Sequence, residues 1–424
     1  MAGCHWDWLV VDHYGIDARW ERAMRPSARS ILAIDDLADR SHDCDVLLDQ
    51  NLQRSGAARY QGLVPEQCRK LLGPRFALLR PEFRDGAVRE RTEEVRRINV
   101  FFGGGGVADT TIRVLNEIAP LIAKGIDVDV ILGASDPGLK AVQAHCDSLG
   151  VRLHVQTEEI ANLFAAADLG IGAGGGASLE RCRMGLPSIV VSVAENQRLN
   201  CKALAQAGVA VCLGEIAELL PGAVYDAVRV LISSSSTRLA MRRRSQSLVD
   251  GRGTDRVLLT MLRNRVTVRS ARAEDADVTW VWRDHPNTRR FSHDPMPLTQ
   301  DTHLSWWKAA VSDPDRALLI AQCAGLDIGV LRFDFYDCRA LVSVYLDPAL
   351  IGLGLGGPVL RAGADWLALN RGDVRYLDAD ILPQNAQSAK VFRSVGFVRQ
   401  DNVRWTRALN SQSVPQELEM RGGE

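Results

Sequence analysis

The chain has 424 residues, a formal net charge of −1, and 46% hydrophobic and 24% charged residues. That length exceeds one hydrophobic core, so two or three soluble domains are expected, and the near-neutral charge argues against a general nucleic-acid or anionic-membrane surface. Nine cysteines without a C-x-x-C pair suit reduced thiols in a cytoplasm better than a disulfide framework or a metal site, and no apolar run reaches the roughly 18 residues of a membrane span.

The opening stretch MAGCHWDWLVVDHYGID carries an apolar run, Trp8 to Val11, that stops on Asp12, His13, Tyr14 and Gly15. This reads as a buried strand ending at a site-bearing loop. From Trp6 to about Arg96, runs such as SILAIDD and DVLLDQN between polar segments give an α/β texture. From Arg97 to Leu262, the β-type runs INVFFGGGG, VDVILGAS, VRLHVQ, LGIGAGGG and PSIVVSV alternate with helical segments such as TTIRVLNEIAPLIAKG. Such alternation predicts a mostly parallel sheet whose ligands sit at the carboxyl ends of the strands.

Within FFGGGGVADTT, Gly104 and Gly105 lie between a strand and a helix, as a phosphate cradle or a plain tight turn requires. Arg242 to Arg244 read as a solvated helix face, and Cys182 and Cys201 as core fillers. A helix ending near Arg263 and a strand starting near Val266 mark a boundary, after which tryptophan becomes frequent: Trp280, Trp282, Trp306, Trp307, Trp366 and Trp405. The divisions expected are 1–95, 96–263 and 266–408, with a polar, disordered tail over 409–424.

The segment GIGAGGGASLERCRMGLPSIVVSVAENQ places Gly174, Gly175, Gly176, Ser178 and Glu180 beside Gly185-Leu186-Pro187 and Asn196-Gln197. It resembles the UDP-sugar half of glycosyltransferase-B enzymes. The nearest likeness is to the hydrolases of UDP-2,4-diacetamido-2,4,6-trideoxy-β-L-altropyranose in pseudaminic acid biosynthesis. DHYGID, IDDLADRSHDCDVLLDQN and YQGLVPEQCRKLLGPRFALLRPEF extend the resemblance from Trp8 to Leu262. It implies that Glu180 takes ribose hydroxyls, that amides from Gly174 to Ser178 take the diphosphate, and that Asn196 and Gln197 contact sugar or diphosphate. Read bare, Glu180 is an exposed capping or surface salt-bridge residue, and Asn196-Gln197 a polar turn.

In that family a G-x-G-H-x-x-R loop precedes this region, and its histidine handles the attacking water. The resemblance therefore implies that Met1 lies inside the first domain, which leaves the base for water open. Tyr14 is the candidate site residue on the loop facing the sugar. His13 is either a substitute base or an orienting residue.

In the last part, VYLDPALIGLGLGGPVLRAGADWLA sets a strand, a glycine loop and a helix in order, followed by VRYLDADIL and NAQSAKVFRSVGF. This resembles the GNAT superfamily, which implies that Leu346, Leu353, Gly354, Leu355, Gly356 and Gly357 hold acetyl-CoA through amides at a helix N-terminus, with Asn385 and Phe392 beside it. Ile351 stands where the family favours Gln or Arg, and Phe392 stands where it favours a proton-donating tyrosine. Tyr345 or water could then protonate the leaving thiolate, or it could leave unassisted. Asp347 reads as a turn residue.

VWRDHPNTRRFS further resembles the N-acetyltransferase acting on UDP-4-amino-4,6-dideoxy-N-acetyl-β-L-altrosamine, over about Val266 to Arg407. By that resemblance Trp282, Arg283, His285 and Arg289 line the nucleotide-sugar side; otherwise Trp282 is core and Arg289 surface. The expected whole is a cytoplasmic α/β protein: glycosyltransferase-B-like Rossmann-type domains, the first incomplete, and then a GNAT domain. It would acetylate a UDP-4-amino sugar and release UDP from the diacetamido product, without a metal. The alternatives are a sugar transferase or a nucleotide-sugar-binding module in the first part.

Overall fold

The computed structural model describes residues 5–52, 56–84, 86, 94–292 and 294–409. The expected tail lies, apart from Leu409, outside the described residues. The chain divides into two compact units, Met1–Val257 and Leu258–Glu424.

The first unit opens with β1 (Trp6–Val11), α1 (Ala18–Met24), β2 (Ala28–Ile34), β3 (Val46–Asp49), β4 (Arg69–Leu72) and the single turn α2 (Pro81–Arg84). The strands pair in parallel in the order β1-β2-β3-β4. All four residues of β3 are buried, as expected for an inner parallel strand. Val11, Ile31, Ala33, Leu47 and Tyr60 form the core of this layer.

A second sheet follows: β5 (Arg97–Phe101), α3 (Ala108–Ile122), β6 (Asp127–Leu132), α4 (Leu139–Leu149), β7 (Arg152–Val155), α5 (Ile160–Ala166), β8 (Leu169–Ala173), α6 (Ala177–Arg183), β9 (Ser188–Ser192), α7 (Arg198–Gln206), β10 (Ala210–Glu215), α8 (Ala223–Ser233) and α9 (Ser235–Leu248). Its order is β10-β9-β8-β5-β6-β7, all parallel. Strand order reverses between β5 and β8, so the two glycine-rich loops leave neighbouring strands at the switch point, where ligands of such sheets bind.

Strand β8 shows why the sequence reads LGIGA. Leu169, Ile171 and Ala173 face the core with Ile98, Val100, Ile189 and Val191. Gly170 and Gly172 face the other way, where the wholly buried Arg181 of α6 lies over them. A Cβ on Gly172 would stand 2.6 Å from Arg181 Nη1 and 2.1 Å from the Phe101 carbonyl. Only bare backbone fits.

Helix α10 (Gly253–Leu262) runs across the division between the units. The second unit contains β11 (Thr267–Ser270), α11 (Ala276–Asp284), α12 (Pro286–Arg289), α13 (Gln300–Val311), β12 (Arg316–Cys323), β13 (Leu326–Tyr336), β14 (Arg339–Leu346), α14 (Gly356–Asn370), β15 (Tyr376–Asp380), α15 (Ala386–Ser394), β16 (Val398–Arg399) and β17 (Arg404–Ala408). Its sheet runs β11-β12-β13-β14-β15-β17-β16 and is antiparallel except between β14 and β15. That parallel pair joins only Arg339–Leu341 to Tyr376–Asp378. Beyond Leu341, β14 continues through Leu346 without a partner on β15, so the sheet opens there.

One buried ionic cluster ties α1 to the loop after β2. Glu21 is fully buried and lies 2.8 Å from His42 Nδ1, while its other oxygen accepts from the Asp43 backbone. Asp35 stands 3.9 Å from His42 Nε2 and pairs with Arg40 at 2.8 Å. Burial alone would push the imidazole pKa down, but Asp35 and Glu21 outweigh it and hold it up at about 9. Burial likewise opposes ionisation of Asp35, and His42, the Ala38 N–H and Arg40 bring it down to about 2.

Because the folded value of His42 lies above its ordinary 6.5, its contribution is complete below that pH and is lost as pH rises through about 9. The Tm should therefore fall across that window, and His42→Gln should flatten the fall. An unchanged slope in the variant would assign the pH dependence to other groups.

Candidate functional sites

In the first unit, the loops that end the strands bring together residues far apart in sequence. The phenol of Tyr14, after β1, is raised above its ordinary pKa by partial burial and by the carboxylate of Asp36, while the Asn196 amide acts in the opposite direction. Asp36, after β2, accepts from Asn51 Nδ2 at 2.9 Å. Tyr14, Asp36, Asn51 and Asn196 thus form one polar cluster joining the end of the first sheet to the end of β9. Sequence reading singled out Tyr14 and Asn196 but missed Asp36 and Asn51, which look like ordinary strand-end turn residues.

His13 has a local role: its Nδ1 accepts from the Gly15 N–H at 2.9 Å, which sets the tautomer and caps the loop that carries Tyr14. The imidazole nitrogen facing Gly15 is therefore already engaged.

Gly104 and Gly105 sit in the loop between β5 and α3, flanked by Gly103 at φ 128° and Gly106 at φ 70°. Asp136 accepts from the Val107 N–H at 2.9 Å and fixes the start of α3. Gly133 approaches so closely that a Cβ there would lie 1.8 Å from the Gly104 carbonyl.

Gly174, Gly175 and Gly176 form the loop between β8 and α6. A Cβ on Gly174 would lie 2.1 Å from Cys201 Sγ, so this glycine is a packing requirement as well as a candidate ligand contact. Asn200, missed in the sequence, donates from Nδ2 to the Gly174 carbonyl at 2.6 Å and accepts from the Leu52 N–H at 3.1 Å. It fixes the loop and ties it to the end of β3. Gln197 turns back on its own segment, accepting from the Val193 N–H at 3.3 Å, with its amide against Gly175.

Ser178 is buried, and its Oγ has no hydrogen-bond partner among the described residues. Glu180 is raised by burial, an effect opposed by Arg80, whose Nη2 lies 3.2 Å from Oε1. The salt-bridge reading of Glu180 is thus present in the structure, and it engages Oε1 alone. Arg181 donates from Nη2 to the Ala173 carbonyl at 2.5 Å; its Nε and Nη1 have no partner among the described residues, and burial lowers it to about 10.

In the second unit, β14 leads through Asp347, which accepts from the Ala349 N–H, into a loop ending at α14. Gly352 and Gly354 take φ of 89° and 72° and are exposed, while Leu353 and Leu355 point into the core. The amides of Gly354, Leu355, Gly356 and Gly357 meet no acceptor among the described residues, and no acidic side chain stands in the first turn of α14. A 15-residue helix with a bare first turn presents N–H groups and positive potential to an anion. Gly356 also lets α15 close in, since a Cβ there would lie 3.2 Å from Val391.

Asn385 caps α15, accepting from the Ser388 N–H at 3.1 Å. Phe392 is buried edge-on against Phe397, with ring centroids 4.9 Å apart. Leu346 lies against Gly329 on β13. Tyr345 packs with Trp282, Trp307 and Ile320; burial pushes its phenol up, partly offset by Arg283 and by a hydrogen bond to Thr279.

Trp282 is core. Arg283 is half-buried near Tyr345 and His303 and pairs with no carboxylate among the described residues. His285 caps α12 through Nδ1, which accepts from the Asn287 N–H at 3.2 Å. Arg289 braces the following loop, donating to the carbonyls of Asp284 at 2.7 Å and Pro295 at 3.2 Å. Of this quartet, Arg283 has the guanidinium left unpaired.

The fold is α/β throughout, with a Rossmann-like glycosyltransferase-type domain and a GNAT acetyltransferase domain. Residues 99–253 match the glycosyltransferase family 28 C-terminal domain, and residues 265–398 match the acetyltransferase (GNAT) domain. The chain is 30% identical over 158 residues to the UDP-2,4-diacetamido-2,4,6-trideoxy-beta-L-altropyranose hydrolase of Campylobacter jejuni, covering 37% of this chain and 55% of that protein. It is 31% identical over 210 residues to the spore coat polysaccharide biosynthesis protein SpsG of Bacillus subtilis, covering 48% of this chain and 60% of that protein. The chain thus spans a little over half the length of these two relatives. Among solved structures it is similar to AAC(6')-Ib in complex with ribostamycin and coenzyme A, at 18% identity and TM-score 0.31, over 34% of this chain and 93% of that one. No helix among the described residues is long and apolar enough to cross a membrane.

The cap on α15 can be tested directly. Asn385→Ala should cost about 1 kcal/mol of stability, whereas Asn385→Ser should restore most of it, as read by urea unfolding of the whole chain. Equal losses in both variants would mean that Asn385 matters through something other than the cap.

Proposed function

We propose that the chain is a two-activity nucleotide-sugar enzyme. Its second unit transfers an acetyl group from acetyl-CoA to the amino group of a UDP-4-amino sugar. Its first unit releases UDP from the UDP-diacetamido product by hydrolysis. The observation that carries the reading is the glycine loop before α14, whose four amides meet no acceptor among the described residues, in the same chain as a region similar to a UDP-diacetamido-sugar hydrolase.

For acetyl transfer, the amides from Gly354 to Gly357 hold the pyrophosphate of acetyl-CoA, and the opening between β14 and β15 admits the thioester. The neutral amine attacks the thioester carbon, the C–S bond breaks, and coenzyme A departs as a thiolate. Phe392 carries no proton to give, and burial makes Tyr345 hold its own proton tightly. A thiolate is a far better leaving group than an alkoxide, so it leaves without a donor at Phe392. Arg283, unpaired, supplies positive charge toward the nucleotide sugar.

For UDP release, the loops after β5 and β8 present backbone amides to the diphosphate, the free oxygen of Glu180 takes a ribose hydroxyl, and Tyr14 and Asn196 contact the sugar. A sugar transferase, with an acceptor hydroxyl in place of water, is the reading favoured by the glycosyltransferase family match alone.

Incubation with acetyl-CoA and the UDP-4-amino sugar should yield coenzyme A thiol first and free UDP later. Gly354→Val should raise the KM for acetyl-CoA about tenfold, the equivalent of one lost charge-assisted hydrogen bond, and leave UDP release from the preformed diacetamido sugar unchanged. Thiol without UDP would leave an acetyltransferase joined to a nucleotide-sugar-binding unit. Neither product from a folded protein would reject both activities.

A further inference from the structure

Hydrolysis at an anomeric carbon needs a group that takes a proton from water as the new bond forms. Four carboxylates stand at the strand ends of the first sheet, and three are accounted for. Asp35 forms an ion pair with Arg40 at 2.8 Å through Oδ1 and accepts from the Ala38 N–H at 2.9 Å through Oδ2. Asp49 accepts from the Asn51 N–H at 3.0 Å through Oδ1, and from Arg59 at 2.8 Å and Tyr60 at 3.1 Å through Oδ2. Asp12 is exposed to solvent.

Asp35 Oδ1 is also buried without a hydrogen bond among the described residues, but a guanidinium pairs with it, as one does with Asp49; Asp36 has no ion pair among the described residues. Its Oδ2 is held by Asn51 Nδ2 at 2.9 Å, which fixes the plane of the carboxylate. Its Oδ1 is buried and has no hydrogen-bond partner among the described residues. A buried acceptor without a donor is costly, and a bound ligand or water removes the cost. The same carboxylate helps raise the pKa of the Tyr14 phenol, an effect opposed by the Asn196 amide, so the three groups are neighbours. The vacant oxygen therefore belongs to the cluster that joins the loops of both sheets.

We propose that Asp36 is the proton acceptor for the attacking water, a role that rests on the hydrolytic reading above. The water oxygen bonds to the anomeric carbon while Asp36 Oδ1 takes one of its protons. The bond from that carbon to the diphosphate oxygen breaks, and both electrons leave on UDP. The proton then passes from Asp36 to solvent. Asn51 orients the carboxylate and Tyr14 holds it against the sugar.

The test uses the full chain and UDP-2,4-diacetamido-2,4,6-trideoxy-β-L-altropyranose, with UDP release and UDP affinity measured for wild type and Asp36→Asn. The variant should lose about 100-fold or more in kcat, keep its UDP affinity within about twofold, and recover UDP release with added azide, giving the glycosyl azide. Azide needs no proton acceptor, so a merely structural role would not produce that rescue. If Asp36→Asn does not fold, Asp36→Glu, which displaces the carboxylate by one methylene, should lose at least about tenfold in kcat with UDP affinity kept.

Wild-type turnover in a folded variant, or a loss of rate without glycosyl azide formation, overturns the role of Asp36 and leaves the hydrolytic reading standing. Wild-type protein that binds UDP but releases none from the sugar overturns the hydrolytic reading and this role with it.

Discussion

The arrangement of the first unit rests on close approach of bare backbone to a buried cation. Along β8, the residues facing α6 have no side chains because Arg181 fills that space, held by the carbonyl of Ala173. The next residue on the same face, Gly174, begins the loop and meets Cys201. A side chain at any of these positions would lift α6 or α7 from the sheet and displace the loop that both helices flank. Buried guanidinium, strand and loop are one packing problem, and glycine is its solution at three alternate positions. The position of the loop is thus set from beneath, by the core, before any ligand arrives.

The second unit reaches a similar end by another route. There the sheet itself supplies the opening, because β14 outruns its pairing with β15, and the glycine loop fills the path from strand to helix. Leu353 and Leu355 act as anchors on the core side, so Gly354 between them is held outward. Alternation of apolar anchor and exposed glycine turns a flexible composition into a fixed row of donors. Val391, packed over Gly356, closes the far side of that row.

Much of this was legible in the sequence because buried parallel strands write themselves as continuous apolar runs, and because glycine clusters after them mark close backbone approach. What stayed hidden is instructive. Arg181 reads as a surface residue of a short helix, since nothing local says that a strand two turns away has made room for it. Asp36 and Asn51 are turn formers by type, and only the pairing of β2 with β3 sets them side by side. Likewise, nothing in the sequence shows that His285 Nδ1 caps α12 or that Arg289 braces the following loop. Residue type announces a capacity for hydrogen bonding; topology decides which partner receives it.

This contrast separates two kinds of polar residue in the molecule. His13, His285, Arg289 and Asn385 each have a key atom engaged with nearby backbone, where it shapes a loop. Asp36 Oδ1, Ser178 Oγ and the Arg181 Nε and Nη1 atoms are buried with no such partner among the described residues, and Arg283 pairs with no carboxylate among them. In a folded protein most buried polar groups are satisfied, so each one left unsatisfied is a candidate contact for a bound group or water. Three of the four lie at or beneath the strand ends of the first unit, next to the glycine loops, and the fourth lies beside the aromatic floor of the second. Lack of a partner is not confined to these regions, since His145 Nε2 on α4 and Arg407 Nη1 on β17 share it among the described residues; what sets the first three apart is their place beside the glycine loops.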